Sequence, residues 1–241
     1  KRHAHTSVTE YRDLGYLPDA VVNFLSLLGW APGNDLELMD RQKLIDLFTI
    51  ERVNNRAAQF NLKKLEWLNG EYVKAIPTDK LIPTAKSFYA KAGLDVSMHN
   101  DAWYAELLHL YHERFRTFGE LVTSTKFLFT DELEYSPEAM DKFINKEGVK
   151  EILTELVQIL QNLPAFDIKN MEDAMRRFVE EKKLKFIKIA QPIRVSITGT
   201  SVSAGIFEVM QLLGKEKTIA RLNKMLGMMG LRVMEFRSLE V

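Results

Sequence analysis

Apolar residues recur along most of the chain with the spacing of amphipathic helices. Three stripes show it: Leu81, Ala85, Phe88, Tyr89 and Ala92; Trp103, Leu107, Leu110, Tyr111, Arg114 and Phe118; Ile152, Leu153, Leu156, Ile159 and Leu160. Residues spaced in this way lie on one face of a helix. Strand-like alternation over four or more residues is rare. The pattern therefore predicts an all-α chain.

Start and stop signals agree with this pattern. Ser7-Val8-Thr9-Glu10 has the form of a capping box, and Ser136 stands as a cap before Pro137. Pro18 is predicted to open a helix that runs through Leu28 and is closed by Gly29.

Three further boundaries are predicted in the same way. The dipeptide Gln191-Pro192 is expected to open a helix that ends near Gly199. A helix over Ile206–Leu213 is expected to stop at Gly214, and Asn69-Gly70 is expected to end a helix that covers Leu62–Leu68.

Length and composition favour a globular protein with more than one core. The chain has 241 residues, of which 46% are hydrophobic. It has no Cys, which excludes disulfides and thiolate metal sites and fits a reducing cytoplasm. No apolar stretch reaches the roughly 18–20 residues of a membrane span.

The net charge of zero hides an asymmetry along the chain. Residues 1–80 carry 11 basic and 11 acidic residues, residues 81–165 carry 8 and 13, and residues 166–241 carry 14 and 9. The last third, with an excess of five positive charges, is the expected place for a polyanion to bind. An ordinary solvated surface would explain the same excess.

Signatures of catalysis and metal binding are absent from the sequence. There is no Gly-rich phosphate loop of either common pattern. His109 and His112 stand three residues apart, which supplies two ligands from one direction where a metal site needs several. We therefore predict no metal site and no catalytic residue in this chain.

Several segments resemble the C-terminal part of bacterial glutamyl-tRNA synthetase, and they occur in the family's order. They are Thr6–Tyr11, Gly15–Ala20, Asn23–Leu25, Leu28–Trp30, Phe60–Leu62, Lys64–Tyr72, Ala190–Arg194, Thr198-Gly199, Gly205–Val209 and Leu212–Glu216. Residues 81–165 match mainly in pattern. The resemblance covers nearly the whole chain and is far more specific than any single motif.

The resemblance implies that the parent protein charges tRNA with glutamate, using ATP with Mg²⁺, through glutamyl-adenylate. Lys1-Arg2 look like the end of the family's Lys-Leu-Ser-Lys-Arg loop, and Lys1 matches the lysine that holds ATP phosphates. The rest of the catalytic domain would precede Lys1. The fragment alone is therefore expected to be inactive and to hold no cofactor.

The resemblance also implies three parts. Residues 1–80 look like the stem-contact region, and residues 81–165 and 166–241 look like two helical anticodon-binding domains. The expected partner is tRNA-Glu, with tRNA-Gln left open, and no DNA or membrane is expected to bind. The protein is expected to be a cytoplasmic monomer.

Residues matching the family's anticodon contacts are Arg114, Arg176, Arg194, Ser203, Ile206 and Phe207. Arg114 would read the third anticodon base, although a surface role remains open. Arg176 has Glu172 and other acids at helical spacing that could satisfy it. Arg194 has no acid close in sequence, which favours a binding role.

Other matches are less sharply assigned. Ile206 and Phe207 could belong to the core, or one of them could pack on a base. The family usually has Pro where Ala204 stands, so a slightly looser turn is expected. Arg52 and Arg56 could contact phosphates of the tRNA stem, as could ordinary solvated loop residues.

A helical protein–protein interaction module without RNA binding is the competing hypothesis. Its support is generic, since it rests on the helical content, the neutral net charge and the missing catalytic motifs. The two hypotheses differ in the effect of salt, because binding to phosphates weakens steeply as salt rises.

Overall fold

The computed structural model describes residues 7–33, 35–54 and 59–238, and the side chains within those ranges as far as residue 230. Within these ranges the chain is helical and contains no named strand, and an isolated antiparallel bridge joins Trp30 to Val53. The all-α prediction is confirmed. The chain divides into two compact units, Lys1–Lys126 and Phe127–Val241.

Among the residues that the structure describes, the first unit contains seven α-helices and two short 3-10 helices. The α-helices are α1 (Val8–Leu14), α2 (Pro18–Gly29), α3 (Arg41–Leu47), α4 (Leu62–Ala75), α5 (Thr78–Lys91), α6 (Asp101–Tyr111) and α7 (Phe118–Thr125). The 3-10 helices cover Ile50–Arg52 and Val96–Met98.

Up to residue 238, the second unit contains six α-helices. They are α8 (Pro137–Ala139), α9 (Val149–Gln161), α10 (Ile168–Glu181), α11 (Ile187–Thr198), α12 (Ile206–Leu213) and α13 (Lys215–Ser238). A π-helical turn, Met140–Ile144, continues α8, and a 3-10 helix covers Lys126–Leu128.

The predicted caps at the start of the chain are present. Ser7 accepts a hydrogen bond from the Thr9 N–H at 3.2 Å, and the Glu10 carboxylate accepts one from the Ser7 N–H at 3.1 Å. Helix α2 begins at Pro18 and ends at Gly29, as the sequence predicts. Ser136 caps α8 by accepting from the Ala139 N–H.

The predicted helix end at Asn69-Gly70 is wrong, because α4 continues through both residues to Ala75. Asn69 is fully buried. Its Oδ1 accepts from the Leu17 N–H at 2.8 Å, and its Nδ2 donates to the carbonyl of Arg116. Asn69-Gly70 therefore does not mark a turn. The buried Asn69 amide links three segments of the unit.

The stripe drawn from Trp103 to Phe118 is not one helix. Helix α6 ends at Tyr111, and α7 begins at Phe118 with Thr117 as its cap. Arg114 lies in the intervening turn, where its N–H donates to the Tyr111 carbonyl at 2.7 Å. Apolar spacing alone predicts one helix through this segment. The turn and the Thr117 cap divide it into two.

Helix α11 starts five residues earlier than predicted, and Pro192 lies inside it. A proline in a helix interior lacks one hydrogen-bond donor. Ile189, Ile193 and Ile197 are all fully buried, and this continuous apolar face stabilises the helix across Pro192. The end at Gly199 is confirmed, as is the stop of α12 at Gly214.

The three-part division into residues 1–80, 81–165 and 166–241 stays a prediction. The boundary between the compact units lies at 126/127 and describes packing, whereas the predicted parts describe roles in binding. Across the described ranges, no helix has the length and apolar character needed to cross a membrane.

Candidate nucleic-acid interface

The loop between α11 and α12 is fastened to α11 by Arg194. The Arg194 Nε–H donates to the Ser203 hydroxyl oxygen at 2.9 Å, and that hydroxyl donates to the Ala204 carbonyl, also at 2.9 Å. Both side chains are half-buried. Arg194 and Ser203, which the sequence predicts as site residues from positions nine apart, are therefore in direct contact.

Gln191 belongs to the same network. With its amide oriented to satisfy both neighbours, it accepts from Arg194 Nη1 at 3.1 Å and donates to the Ser201 carbonyl at 3.2 Å. Ser203 and Gln191 thus help to orient the Arg194 guanidinium. A guanidinium donates through several N–H groups in one plane, which suits a phosphate or the edge of a base.

Behind this loop, the buried guanidinium of Arg221 holds the end of α11. Arg221 Nη1 donates to the Ile197 carbonyl at 2.5 Å, and Nη2 donates to the Phe127 carbonyl at 2.7 Å and to the carbonyl of Thr130. Burial lowers the pKa of Arg221 to about 10, while Tyr135 and Asp131 act in the opposite direction. The group remains charged at neutral pH and joins α13, α11 and the segment before α8.

Gly199 allows that segment to lie directly against the end of α11. Its φ is +81°, and a β-carbon at this position would lie 2.2 Å from the Glu134 carbonyl oxygen. The Gly199 carbonyl accepts from the Ser136 N–H at 2.8 Å, and the Tyr135 hydroxyl donates to the Ser196 carbonyl at 3.3 Å. Glycine is needed here both for its backbone angle and for space.

An aromatic and cationic surface lies at the starts of α11 and α12. The rings of Phe186 and Phe207 are 5.8 Å apart, and the Arg176 guanidinium lies 5.9 Å from the Phe186 ring centre. Both rings are half-buried, and Arg176 is exposed. The Arg176 Nε also donates to the Glu172 carboxylate at 2.9 Å, so the predicted helical ion pair exists.

The two apolar candidates at the start of α12 differ in exposure. Ile206 is 5% exposed and packs in the core, whereas Phe207 presents part of its ring at the surface. Ala204 is buried at 2% exposure, so the position that usually holds Pro in the resembled family is well packed. Val202, at the tip of the loop, is 83% exposed.

The remaining candidates lie in the first unit. Arg114 is exposed, and its side chain makes no hydrogen bond or ion pair with the residues that the structure describes. Arg52 donates through Nη1 to the Pro32 carbonyl at 2.6 Å. Lys1 and Arg56 lie outside the described residues.

The sequence did not identify three residues that form or support this site, namely Gln191, Phe186 and Arg221. A signal for Arg221 was available, because Thr218, Leu222 and Met225 are all fully buried and share its helical face. An arginine on such a face must meet buried acceptors. Phe186 and Gln191 depend on contacts between helices, which spacing along one helix does not reveal.

The described part of the chain contains no group of three or more His, Asp or Glu side chains placed to hold a metal ion. The candidate residues provide guanidinium groups, hydroxyls and aromatic rings. This combination suits recognition of phosphates and unstacked bases.

Two family models match the chain. The anticodon binding domain model covers residues 78–226, which is more than half of the chain. The model for the catalytic domain of class I tRNA synthetases (E and Q) covers residues 1–67. The chain therefore belongs to the anticodon-binding-domain family of tRNA synthetases.

The curated relatives that match this chain include glutamate–tRNA ligases. The chain is 42% identical over 228 residues to the glutamate–tRNA ligase of Thermodesulfovibrio yellowstonii, covering 94% of this chain and 49% of that protein. It is 36% identical over 224 residues to glutamate–tRNA ligase 1 of Caldanaerobacter subterraneus, covering 93% and 47%. The chain thus spans about half the length of these relatives, and the resemblance seen in the sequence is confirmed.

Solved structures agree with this conclusion. The crystal structure of a glutamate tRNA ligase from Elizabethkingia meningosepticum, in complex with its amino acid, matches with a TM-score of 0.81 and 26% identity. The match covers 90% of this chain and 42% of that one. The glutamate–tRNA synthetase of Elizabethkingia anophelis matches with a TM-score of 0.78 over the same shares.

Proposed function

We propose that this chain recognises tRNA-Glu and that it acts as the C-terminal part of a glutamate–tRNA ligase. The observation that carries the proposal is the contact between Arg194 and Ser203. It places a guanidinium and a hydroxyl together at a loop of an anticodon-binding domain.

The anticodon loop is a fitting target for this geometry. Its bases are unstacked, so their edges are accessible. They can accept hydrogen bonds from a guanidinium, and a hydroxyl can donate to them or accept from them. Arg194 has several N–H groups in a rigid plane, and Ser203 and Gln191 hold that plane in place. An arginine oriented before binding loses less conformational freedom when the RNA arrives.

The surface formed by Arg176, Phe186 and Phe207 would hold an adjacent nucleotide. A base could stack on the accessible part of the aromatic pair, and base–aromatic stacking contributes about 1–3 kcal/mol per base. The Arg176–Glu172 ion pair is solvent-exposed, with side chains 63% and 36% accessible. Exposed pairs are weak, so a phosphate can compete for Arg176. Ile206 supports the turn from the core.

In the first unit, Arg114 is proposed to contact the third anticodon base, and Arg52 is proposed to contact a stem phosphate. Arg52 keeps Nη2 free of hydrogen bonds to the described residues while Nη1 holds Pro32. Arg56 is proposed to contact a phosphate of the tRNA stem, and Lys1 is proposed to contact the ATP phosphates in the whole protein. Residues 1–80 would contact the stem, and residues 81–165 and 166–241 would bind the anticodon.

For the whole protein we propose ATP-dependent attachment of glutamate to tRNA-Glu, with Mg²⁺, in the cytoplasm. The catalytic-domain match over residues 1–67 supports ATP use, since this model describes class I synthetases. The family also contains enzymes that charge tRNA-Gln. The arginine at position 114 favours the type that is restricted to tRNA-Glu.

The test is binding of the chain to a tRNA-Glu transcript between about 50 and 200 mM salt, measured by fluorescence anisotropy. We expect saturable binding that weakens at least about tenfold over that range, because released counterions oppose association. Arg194→Ala should cost roughly 1–3 kcal/mol, and the exposed Arg12→Ala should bind as the parent does. A tRNA-Gln competitor measures discrimination.

Absence of binding at low salt would contradict the proposal for this chain. That result would favour the helical protein–protein module without RNA binding, whose binding to a protein partner should be largely insensitive to salt, since contacts between neutral surfaces release few ions. Equal competition by tRNA-Gln would keep RNA binding and remove the restriction to tRNA-Glu.

A further inference from the structure

The turn that joins α10 to α11, residues 182–188, is rich in lysine and is here called the lysine turn. It contains no acidic residue, and two glutamates end α10 just before it, so residues 180–188 carry a net charge of +2. Its lysines are all exposed, and none of them has a role in the proposed function. They are Lys182, Lys183, Lys185 and Lys188.

One of these four lysines is paired with an acid, and the other three are not. The Lys182 ammonium lies 2.7 Å from the Glu155 carboxylate. Lys183, Lys185 and Lys188 make no ion pair with the residues that the structure describes. Like charges this close in sequence repel one another, and within the described part of the chain no carboxylate contacts these three to offset the repulsion.

Lys183 has a backbone conformation that favours glycine. Its φ is +53°, and its N–H donates to the Glu180 carbonyl at 3.1 Å, where α10 ends. The Leu184 N–H closes the same helix end by donating to the Val179 carbonyl at 2.9 Å. Glycine is the most common residue at such a position, because a β-carbon is strained at positive φ. The lysine therefore lowers stability here.

Lys185 and Lys188 lie where helix α11 disfavours positive charge. Helix α11 begins at Ile187, its first turn contains no acidic residue, and no side chain caps it at Phe186. The start of a helix carries a partial positive charge, so a cation there is unfavourable. All three unpaired lysines are thus at positions where another residue would give a more stable chain. Residues that break local rules in this way are typical of functional sites.

The lysine turn borders the aromatic surface that is proposed to hold a nucleotide. Phe186 belongs to the turn, and its ring lies 5.8 Å from that of Phe207. Lys185 precedes Phe186 in sequence, and Lys188 follows it by two residues. Arg194 lies six residues beyond Lys188 on α11, about 9 Å further along the helix axis. The turn, the rings and Arg194 therefore follow one another along the same part of the second unit.

We propose that Lys183, Lys185 and Lys188 bind backbone phosphates of the anticodon arm of tRNA. This inference rests on the proposed function, and it adds phosphate contacts beside the rings of Phe186 and Phe207. Phosphate contacts fix the position of the RNA and carry no sequence information, whereas Arg194 is proposed to read bases. The two kinds of contact therefore respond differently to salt and to a changed anticodon.

The test is binding of the chain to a tRNA-Glu transcript between about 50 and 200 mM salt, measured by fluorescence anisotropy. Lys185→Gln and Lys188→Gln should each weaken binding about fivefold at about 0.1 M salt, because one phosphate contact is lost. Each should also lower the slope of log affinity against log salt by about 1. Binding to a transcript with a changed anticodon should weaken by the same factor, since phosphates are common to both RNAs.

A matched control removes a lysine from elsewhere in the second unit. Lys146 is exposed and makes no ion pair with the described residues. Lys146→Gln changes the net charge of the chain by the same amount as the variants in the lysine turn. It should keep the affinity and the salt slope of the parent.

Lys183→Gly separates a role in binding from a role in folding. Glycine relieves the strain at φ +53°, so the midpoint of thermal unfolding should rise by about 2 °C. The same variant should weaken RNA binding about fivefold at about 0.1 M salt. Lys183→Arg, which keeps the charge, should bind as the parent does. A lower midpoint for Lys183→Gly with unchanged binding would assign this lysine to folding and contradict the proposal.

The proposal is overturned if the variants of Lys185 and Lys188 keep the parent's affinity and salt slope. The proposed function would then still stand, provided that the parent binds and Arg194→Ala does not bind as well. An equal loss in Lys146→Gln would also overturn the proposal, because binding would then follow overall charge. Absence of binding by the parent at low salt would overturn the proposed function and this inference together.

Discussion

The Arg221 guanidinium donates to the main-chain carbonyl of Ile197, 2.5 Å away, and the residue is only 3% exposed. Its Nη2 donates to the carbonyls of Phe127 and Thr130. One side chain of α13 therefore satisfies acceptors on two separate segments. Removing it would leave buried carbonyls without those donors, and this is the costly kind of lost hydrogen bond.

Arg221→Met should therefore lower the free energy of unfolding by roughly 2–4 kcal/mol, even though it removes a buried charge. The measurement is urea denaturation followed by circular dichroism. Arg177→Met, at an exposed position of α10, is the matched control and should stay within about 0.5 kcal/mol of the parent. A loss of equal size in both variants would show that Arg221 has no special role.

Gly199 and Gly148 form a natural pair for testing the close approach behind the α11–α12 loop. Both have left-handed φ values, +81° and +78°, so alanine costs about the same backbone strain at each. A β-carbon at Gly199 would lie 2.2 Å from Glu134 O, whereas one at Gly148 meets no atom within 4 Å.

We expect Gly148→Ala to cost about 1 kcal/mol of unfolding free energy and Gly199→Ala to cost at least about 2 kcal/mol more. Chemical denaturation of the two variants beside the parent measures the difference. Equal losses would mean that the Glu134 segment moves aside easily and that Gly199 is needed for its backbone angle alone.

Alkaline stability follows from the buried tyrosines of the first unit. Burial raises the pKa of Tyr16, Tyr72 and Tyr104 to about 12, from an ordinary value of 10.0. Because the folded state holds these protons more tightly, the stability they contribute is complete below pH 10 and declines as pH rises towards 12. Denaturation midpoints should therefore fall over that interval.

Tyr16→Phe isolates one of these groups. Its hydroxyl has no hydrogen-bond partner among the described residues, so the variant should match the parent within about 0.5 kcal/mol at neutral pH. Between pH 10 and 12 its unfolding free energy should fall less steeply than that of the parent. An unchanged slope would show that Tyr16 titrates normally in the folded chain.

The sequence predicted local structure well where caps and helix-stopping glycines determine it. Ser7, Pro18, Gly199 and Gly214 mark helix ends that the structure confirms. A helix cap involves only the residues of one turn of backbone. A few consecutive residues are therefore enough to predict it.

Predictions failed where tertiary packing overrides a local signal. Asn69-Gly70 resembles a helix end, yet the Asn69 amide binds Leu17 and Arg116 and α4 continues. Pro192 resembles a helix start, yet buried isoleucines on both sides keep α11 intact. Both cases depend on packing against segments far away in sequence.

The candidate site was predicted in part, through family resemblance more than through periodicity. Arg194 and Ser203 are in contact as expected of one site. Ile206 is in the core, and the aromatic partner of Phe207 is Phe186, which helical spacing does not identify. The roles of these residues in RNA binding remain predictions.

The most direct measurement compares a tRNA-Glu transcript with the same transcript carrying a different anticodon, using the parent chain and Arg194→Ala. We predict that the parent prefers the native anticodon, and that Arg194→Ala loses most of this preference, worth roughly 1–3 kcal/mol. Equal affinity of the parent for both transcripts would contradict anticodon recognition by this chain, and any binding would then come from phosphate contacts alone.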